Sequence, residues 1–172
     1  MKPLLATLCI ILAPTTHGED FVIEDTFIVS APEGTIAKGR PDEQLPANIG
    51  YPKLQGPSWG FGTYWWDWVK EDTDLMDVPG LWQRSTRVDC EVSAIEPFST
   101  DSGLSGARFH TRIFNATRPG VFDSKMVVLR DPKGKVVMFQ MWGEFGVKDE
   151  IFKSLRYKDT GQSYTAMLQP PR

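Results

Sequence analysis

The sequence predicts an all-β fold, a sandwich or barrel of antiparallel strands, and three observations carry that expectation. Short β-branched and aromatic runs alternate with a period of two, as strands with one wet and one dry face do. Gly and Pro, 15 and 13 of 172 residues, punctuate those runs at roughly ten-residue spacing, the rhythm of a sandwich or barrel and not of a βαβ fold. Only Lys148–Leu155 has a helical look, and it is short.

The first 18 residues are set aside as a secretory signal. Met1-Lys2 gives a positive start, Leu4 to Ala13 is an apolar run, and Thr16-His17-Gly18 offers small residues before Glu19. The run is too short to cross a bilayer, which takes about 20 apolar residues. The expectation is a secreted or periplasmic protein whose residues 19–172 form one sandwich domain, with no membrane span after cleavage. Phe21–Val29 then reads as a first strand, closed by Ser30-Ala31-Pro32-Glu33-Gly34. Gly39 to Gly62 carries Pro41, Pro46, Pro52 and Pro57 and reads as an ordered surface excursion, because each Pro removes a donor and restricts the residue before it. Trp82–Ile95 alternates, with Val88, Cys90, Val92 and Ala94 against Arg87, Asp89, Glu91 and Ser93. Ala107–Phe114 alternates again, with Phe109, Thr111 and Ile113 against Arg108, His110 and Arg112. Met126–Leu129 and Val136–Trp142 flank Arg130-Asp131-Pro132-Lys133-Gly134-Lys135, a hairpin signal.

Composition narrows the function. A net charge of −3 and a pI near 5.4 lack the concentrated basic footprint of a nucleic-acid binder. Of the two cysteines, Cys9 lies in the signal, so Cys90 stands alone, without a disulfide partner. Between Asp89 and Glu91 its thiolate is disfavoured, and it reads as a small buried hydrophobe.

Four of the six Trp fall between Trp59 and Trp68. Indoles stack on the flat C–H faces of sugars and also fill cores, so this burst is both a candidate binding platform and candidate core. Trp65 shares a strand face with Asp67 and Trp66 shares one with Tyr64; the sequence leaves open which pair looks outward. A second constellation combines faces from three strands: Arg87, Asp89 and Glu91; Arg108, His110 and Arg112; Gln140, Trp142 and Glu144. Lining one concave sheet, they would grip an acidic polysaccharide. Arg would neutralise a uronate carboxylate, and His110 or Tyr157 would serve as the base. Asp89 and Glu91, about 7 Å apart along a strand, offer a weaker glycosidase geometry. Each of these faces reads first as an ordinary solvated sheet surface, which every antiparallel sheet with one wet side possesses. Asp72, Asp74 and Asp77 are candidate calcium ligands in an acidic loop, though without the Gly and distal Glu of an EF-hand; otherwise no cofactor is expected. Asn115-Ala116-Thr117 fits the N-glycosylation pattern.

Two stretches resemble the concanavalin A-like (laminin G-like) jelly-roll domains of exported bacterial proteins. One runs through Glu24-Asp25-Thr26-Phe27, Glu33-Gly34-Thr35, Lys38-Gly39-Arg40-Pro41-Asp42 and Leu45-Pro46 to Trp59. The other comprises Arg118-Pro119-Gly120-Val121-Phe122, Val127-Val128-Leu129 and Asp131 to Val136. The resemblance implies a two-sheet sandwich with a concave face suited to glycans, and no specific activity, because the fold carries lectins, hydrolases, lyases and passive modules alike. Arg84 through Glu91, Gln140 and Tyr157 are similar to the Arg, Gln and Tyr strands of jelly-roll polysaccharide lyases. The Gln-x-His of those enzymes is here Gln140-Met141-Trp142.

The sequence therefore leads to a non-catalytic module that binds carbohydrate or a cell-surface component through Trp65, Trp66, Arg108, Arg112, Gln140 and Trp142. The alternatives are a lyase using His110 or Tyr157 with Arg87, and a calycin-like barrel carrying a small apolar ligand. Oligomeric state is not encoded in any pattern of the chain.

Overall fold

The computed structural model describes residues 18–23, 25–37, 52–86, 89–114, 121–143, 148–159 and 166–167. The signal segment, Arg87, Glu144 and the Asn115-Ala116-Thr117 tripeptide lie outside the described residues.

The protein is mostly β and forms a two-sheet sandwich. The strands are β1 (Glu19–Ile23), β2 (Phe27–Ala31), β3 (Ile36–Ala37), β4 (Pro52–Gln55), β5 (Trp59–Trp66), β6 (Cys90–Ser99), β7 (Ser105–Phe114), β8 (Val121–Arg130), β9 (Val136–Gly143), β10 (Arg156–Tyr157) and β11 (Ala166–Met167). Helix α1 (Val78–Ser85) separates β5 from β6, and α2 (Lys148–Lys153) separates β9 from β10. The large sheet has the order β3-β4-β5-β9-β8-β7-β6 and is antiparallel throughout. The small sheet has the order β10-β2-β1-β11, with β11 parallel to β1. Both sheets are open, so among the described residues nothing closes the barrel that a calycin-like carrier requires.

The alternation in Ala107–Phe114 and the β8–β9 hairpin are as the sequence indicates. Three elements differ. Phe21–Val29 is not one strand but part of a hairpin, turning at Asp25, whose left-handed φ of 56° a short Asp tolerates. The Pro-rich excursion contains β4, with Pro52 at the first strand position, where a missing donor costs least. The stretch from Trp82 is helical at first: α1 carries Pro79 in its first turn and Arg84 in its last, both suited to those ends, and the strand begins only at Cys90.

The large sheet is covered on both sides, so most of β8 and β9 is buried whichever way a side chain points. On one face Phe61, Phe98, Val127, Leu129, Val137, Phe139 and Met141 meet Phe21, Ile23, Phe27 and Val29 of the small sheet, with Ile151, Phe152 and Leu155 from α2 and the residues after it. Phe27 is the aromatic centre of that layer, with ring centroids 5.0 Å from Phe139 edge-on, 5.4 Å from Tyr157 and 6.5 Å from Trp65. On the opposite face Trp66, Phe109, Met126, Val128, Val136 and Met138 are capped by Val69, Leu75, Val78 and Trp82. Cys90 is buried beside this layer, its thiol pKa pushed up by burial and by Asp89, as an inert hydrophobe requires.

A hydrogen-bonded ladder crosses the second layer. The Tyr64 hydroxyl donates to Gln140 Oε1, Gln140 Nε2 donates to Ser124 Oγ at 2.8 Å, and Ser124 shares a 2.6 Å bond with Thr111. Four polar side chains on four adjacent strands are thereby satisfied within the fold. Thr63 is the exception. Its Oγ1 is buried and, among the described residues, alone in lacking a partner. An orphaned buried hydroxyl costs about 1–3 kcal/mol. Thr63→Val is accordingly expected to hold or raise the melting temperature in a thermal scan; a drop of several degrees would show that the hydroxyl is satisfied after all.

Candidate functional site

Residues from four separate segments surround a cleft of about 720 Å³ at the end of the sandwich where β5 stops and β8 turns into β9. Its lining comprises Trp65 and Asp67, Asp25 and Thr26 of the β1–β2 turn, Asp131, Lys133 and Lys135 of the β8–β9 turn, and Lys158 after β10. This volume lies within the usual range for small-ligand sites, about 300–1,000 Å³.

Local chemistry makes these walls rigid. In the β8–β9 turn the buried Asp131 carboxylate accepts from the backbone amides of Lys133 and Lys135, both at 2.8 Å, and Gly134 takes the φ of 84° that the reversal demands. Arg130 clamps the same turn by donating to Gly134 O at 2.7 Å and Thr73 O at 2.6 Å. The Lys158 amide donates to Thr26 O at 2.8 Å, tying the chain after β10 to the β1–β2 turn. Trp65 is partly buried, packed against the inter-sheet core through Phe27 and facing the cleft with the rest of its indole.

The electrostatics are balanced, with three carboxylates facing three ammonium groups. Lys135 Nζ donates to Asp67 Oδ1 at 2.9 Å, which raises the lysine pKa, and Lys158 lies 3.6 Å from Asp25. Lys133 has no ion-pair partner among the described residues. A partly exposed indole ringed by donors and acceptors of both signs suits a polar ligand with one apolar face, rather than a wholly apolar or a highly charged one.

A second cleft, of about 500 Å³, lies further along the inter-sheet face of the large sheet, bordered by Glu91, Ser93, His110, Arg112, Asp123 and Lys125. Its strands form a lattice of alternating charge. Arg108 donates to Glu96 Oε1 at 2.9 and 2.6 Å and lies 3.4 Å from Asp149; Lys125 is 3.1 Å from Asp149; Arg112 is 3.1 Å from Asp123. Burial works to raise the Asp149 pKa, but the Lys125 hydrogen bond and the charges of Lys125, Arg108 and Lys153 outweigh it, so the pKa is lowered. His110 has its pKa lowered from 6.5 by burial first, then by Lys125 and Arg108, against the opposing pull of Asp149 and Glu96. A depressed histidine pKa contributes stability that is present above 6.5 and is lost as pH falls through the folded value. NMR titration of the His110 ring is expected to give a midpoint below 6.5, and Lys125→Met should move it upward. A midpoint at or above 6.5 in the unaltered protein would contradict this arrangement.

The structure separates the residues that the sequence assembled into one groove. Arg108, His110 and Arg112 stand opposite Val127, Lys125 and Asp123 on the inter-sheet face. Gln140 and Trp142 stand opposite Met126 and Ser124 on the other face. The three-strand groove is therefore not formed. Gln140 is 4% exposed and held within the ladder. Trp142 covers Gly60, where an added Cβ would sit 2.5 Å from its indole. Trp66 is buried beneath Trp68, their rings stacked at 4.9 Å. Arg108 and Arg112 are engaged with carboxylates. Tyr157 lies near Arg130, five residues along β8 from the partner of His110, or about 17 Å away. Its hydroxyl donates to Arg130 O at 2.9 Å, and its pKa is raised by burial and by Asp131, the wrong direction for a base.

The calcium ligands do not fit either. Among the described residues no three His, Cys, Asp or Glu side chains gather to hold a metal ion, and Asp74 Oδ1 instead accepts from the Met76 amide at 2.9 Å. Of the expected ligand residues, only Trp65 lines the large cleft. Its companions Asp25, Asp131, Lys133, Lys135 and Lys158 went unread, although the β8–β9 turn that carries three of them was legible as a turn.

Among the described residues no helix is long and apolar enough to cross a membrane. Compared with models of known families, with curated proteins and with solved structures, the chain matches none.

Proposed function

We propose that this protein is an exported, non-catalytic module that binds carbohydrate, free or on a cell surface, in the Trp65 cleft. The observation that carries the reading is a partly exposed indole, braced from behind by Phe27, on the wall of an open cleft whose rim alternates Asp and Lys. An indole face takes the C–H face of a sugar ring while the rim exchanges hydrogen bonds with its hydroxyls. The reading needs no nucleophile, base or metal. The resemblance to concanavalin A-like domains of exported proteins points the same way.

A glycan array tests it. Bound sugars are expected, and Trp65→Ala should weaken their binding at least tenfold while leaving the melting temperature within a few degrees. Retained affinity in that variant would sink the cleft assignment, and an empty array would leave a protein surface as the partner. Incubation with alginate, glucuronan and heparin should give no rise in the ultraviolet absorbance of an unsaturated uronate. A rise would instead revive a lyase centred on His110.

A further inference from the structure

We infer that the Trp65 cleft selects acidic sugars, and that the unit it takes is a uronic acid whose single carboxylate is held by Lys133 and Lys158 while its ring covers Trp65. The inference rests on the carbohydrate reading above and adds the charge of the ligand. All three residues line the same cleft. Trp65 belongs to β5, Lys133 to the β8–β9 turn and Lys158 to the chain after β10. The two lysines are brought to one end of the sandwich by Tyr157, the neighbour of Lys158, whose hydroxyl donates to Arg130 O, three residues before Lys133, at 2.9 Å.

The acidic and basic groups of the rim are equal in number but not equally open to a ligand. Asp131 is buried, and its Oδ1 is occupied by the amides of Lys133 and Lys135. Asp67 holds Lys135 at 2.9 Å. Asp25 approaches Lys158 only to 3.6 Å, beyond hydrogen-bond distance. The Lys158 side chain is nevertheless 19% exposed, and among the described residues its Nζ makes no hydrogen bond. Lys133 is exposed, and among the described residues its ammonium has neither a hydrogen bond nor an ion pair. Each ammonium carries three donors. Two cations therefore face the ligand across from one carboxylate, Asp25, which leaves one positive charge in excess. A ligand carboxylate matches that excess and forms charge-assisted hydrogen bonds, roughly twice as strong as those a sugar hydroxyl can accept. A second negative charge on the same unit would meet Asp25 or Asp67, so the match is to one carboxylate per sugar.

The test titrates the full chain by calorimetry with short glucuronic, galacturonic and mannuronic acid oligosaccharides, each against its methyl ester and its neutral parent sugar. The ester keeps the ring and its C–H faces and removes the charge. In a family that binds, the acid is expected to bind roughly tenfold more tightly than the ester, and added salt should narrow that gap. Lys133→Met should weaken the acid roughly threefold or more and leave the ester unchanged; Lys133→Arg should keep most of the preference. Lys133→Met combined with Lys158→Met should abolish it, and Trp65→Ala should weaken acid and ester alike. Equal affinity for acid and ester, a preference that survives the double variant, or binding of neutral sugars alone overturns the acidic class and spares the cleft. Acetate or phosphate bound as tightly as the uronate and untouched by Trp65→Ala would mark a bare anion site and overturn the inference. Sugar binding that ignores Trp65→Ala, or none in these families and on the array, overturns the carbohydrate reading and the inference with it. Thermal unfolding of each variant separates a lost contact from a lost fold.

Discussion

Phe27→Ala is expected to lower stability by about 3–5 kcal/mol, the range for deleting a buried phenyl ring and leaving a cavity. Phe27 is fully buried, and its ring touches Phe139 on the large sheet, Tyr157 on β10 and Trp65 at the cleft. At about 2–4 °C per kcal/mol for a domain of this size, the melting temperature should fall by roughly 6–20 °C. Phe27→Leu, which keeps most of the volume, should cost less than half as much. Equal losses in the two variants, or a shift below two degrees for Phe27→Ala, would show that the two sheets are not held together through this ring. Because Phe27 also backs Trp65, the alanine variant should bind sugar more weakly even where it remains folded. The stability of the sandwich and the preorganisation of the cleft share one side chain.

The alternation within β7 was legible because one face of that strand is wet. Arg108, His110 and Arg112 separate cleanly from Phe109, Thr111 and Ile113. How those faces combine was not legible, because it depends on register. The Asp131–Lys135 turn sets Arg130 opposite Val136, which places Gln140 with Met126 and not with Lys125. A shift of one residue would have reversed every side chain of β9. Little in β9 signals its parity, since Val136 to Met141 are all buried and Gln140 is the one polar side chain among them. Helix α1 was hidden for a related reason: its apolar residues Val78, Leu81 and Trp82 are few, and Pro79 and Gly80 read as a turn unless Pro is placed in a first helical turn. The cleft escaped because it is assembled from turns near residues 25, 67, 133 and 158, whose proximity is a property of the two-sheet stack alone.

Gln140 tests whether this division between site and scaffold is right. On the surface of a groove its replacement would spare the fold and abolish binding; within the ladder it should do the reverse. Gln140→Leu leaves the Tyr64 hydroxyl buried without its acceptor, at a cost of about 1–3 kcal/mol. Tyr64→Phe strips the same bond from the other side and should cost a similar amount. Combining Tyr64→Phe with Gln140→Leu should cost less than the sum, because no unpaired group then remains at that rung, with a coupling of about 0.5–3 kcal/mol. The pH dependence gives an independent reading. Burial pushes the Tyr64 pKa from 10.0 up to about 12. A folded-state pKa raised in this way contributes stability that is fully present below pH 10 and is lost as pH rises towards 12, by an amount of order 2 kcal/mol. Tyr157, also raised, adds to that loss in every variant. Denaturant titrations from pH 8 to 12 should therefore show the unaltered protein weakening above pH 10 and Tyr64→Phe weakening less steeply. Parallel curves would mean that the hydroxyl is not in the layer where the structure places it. Through all of this, sugar binding by Gln140→Leu should stay within about twofold of the unaltered protein, because the residue lies inside the fold on the face of the sheet that Trp65 does not share.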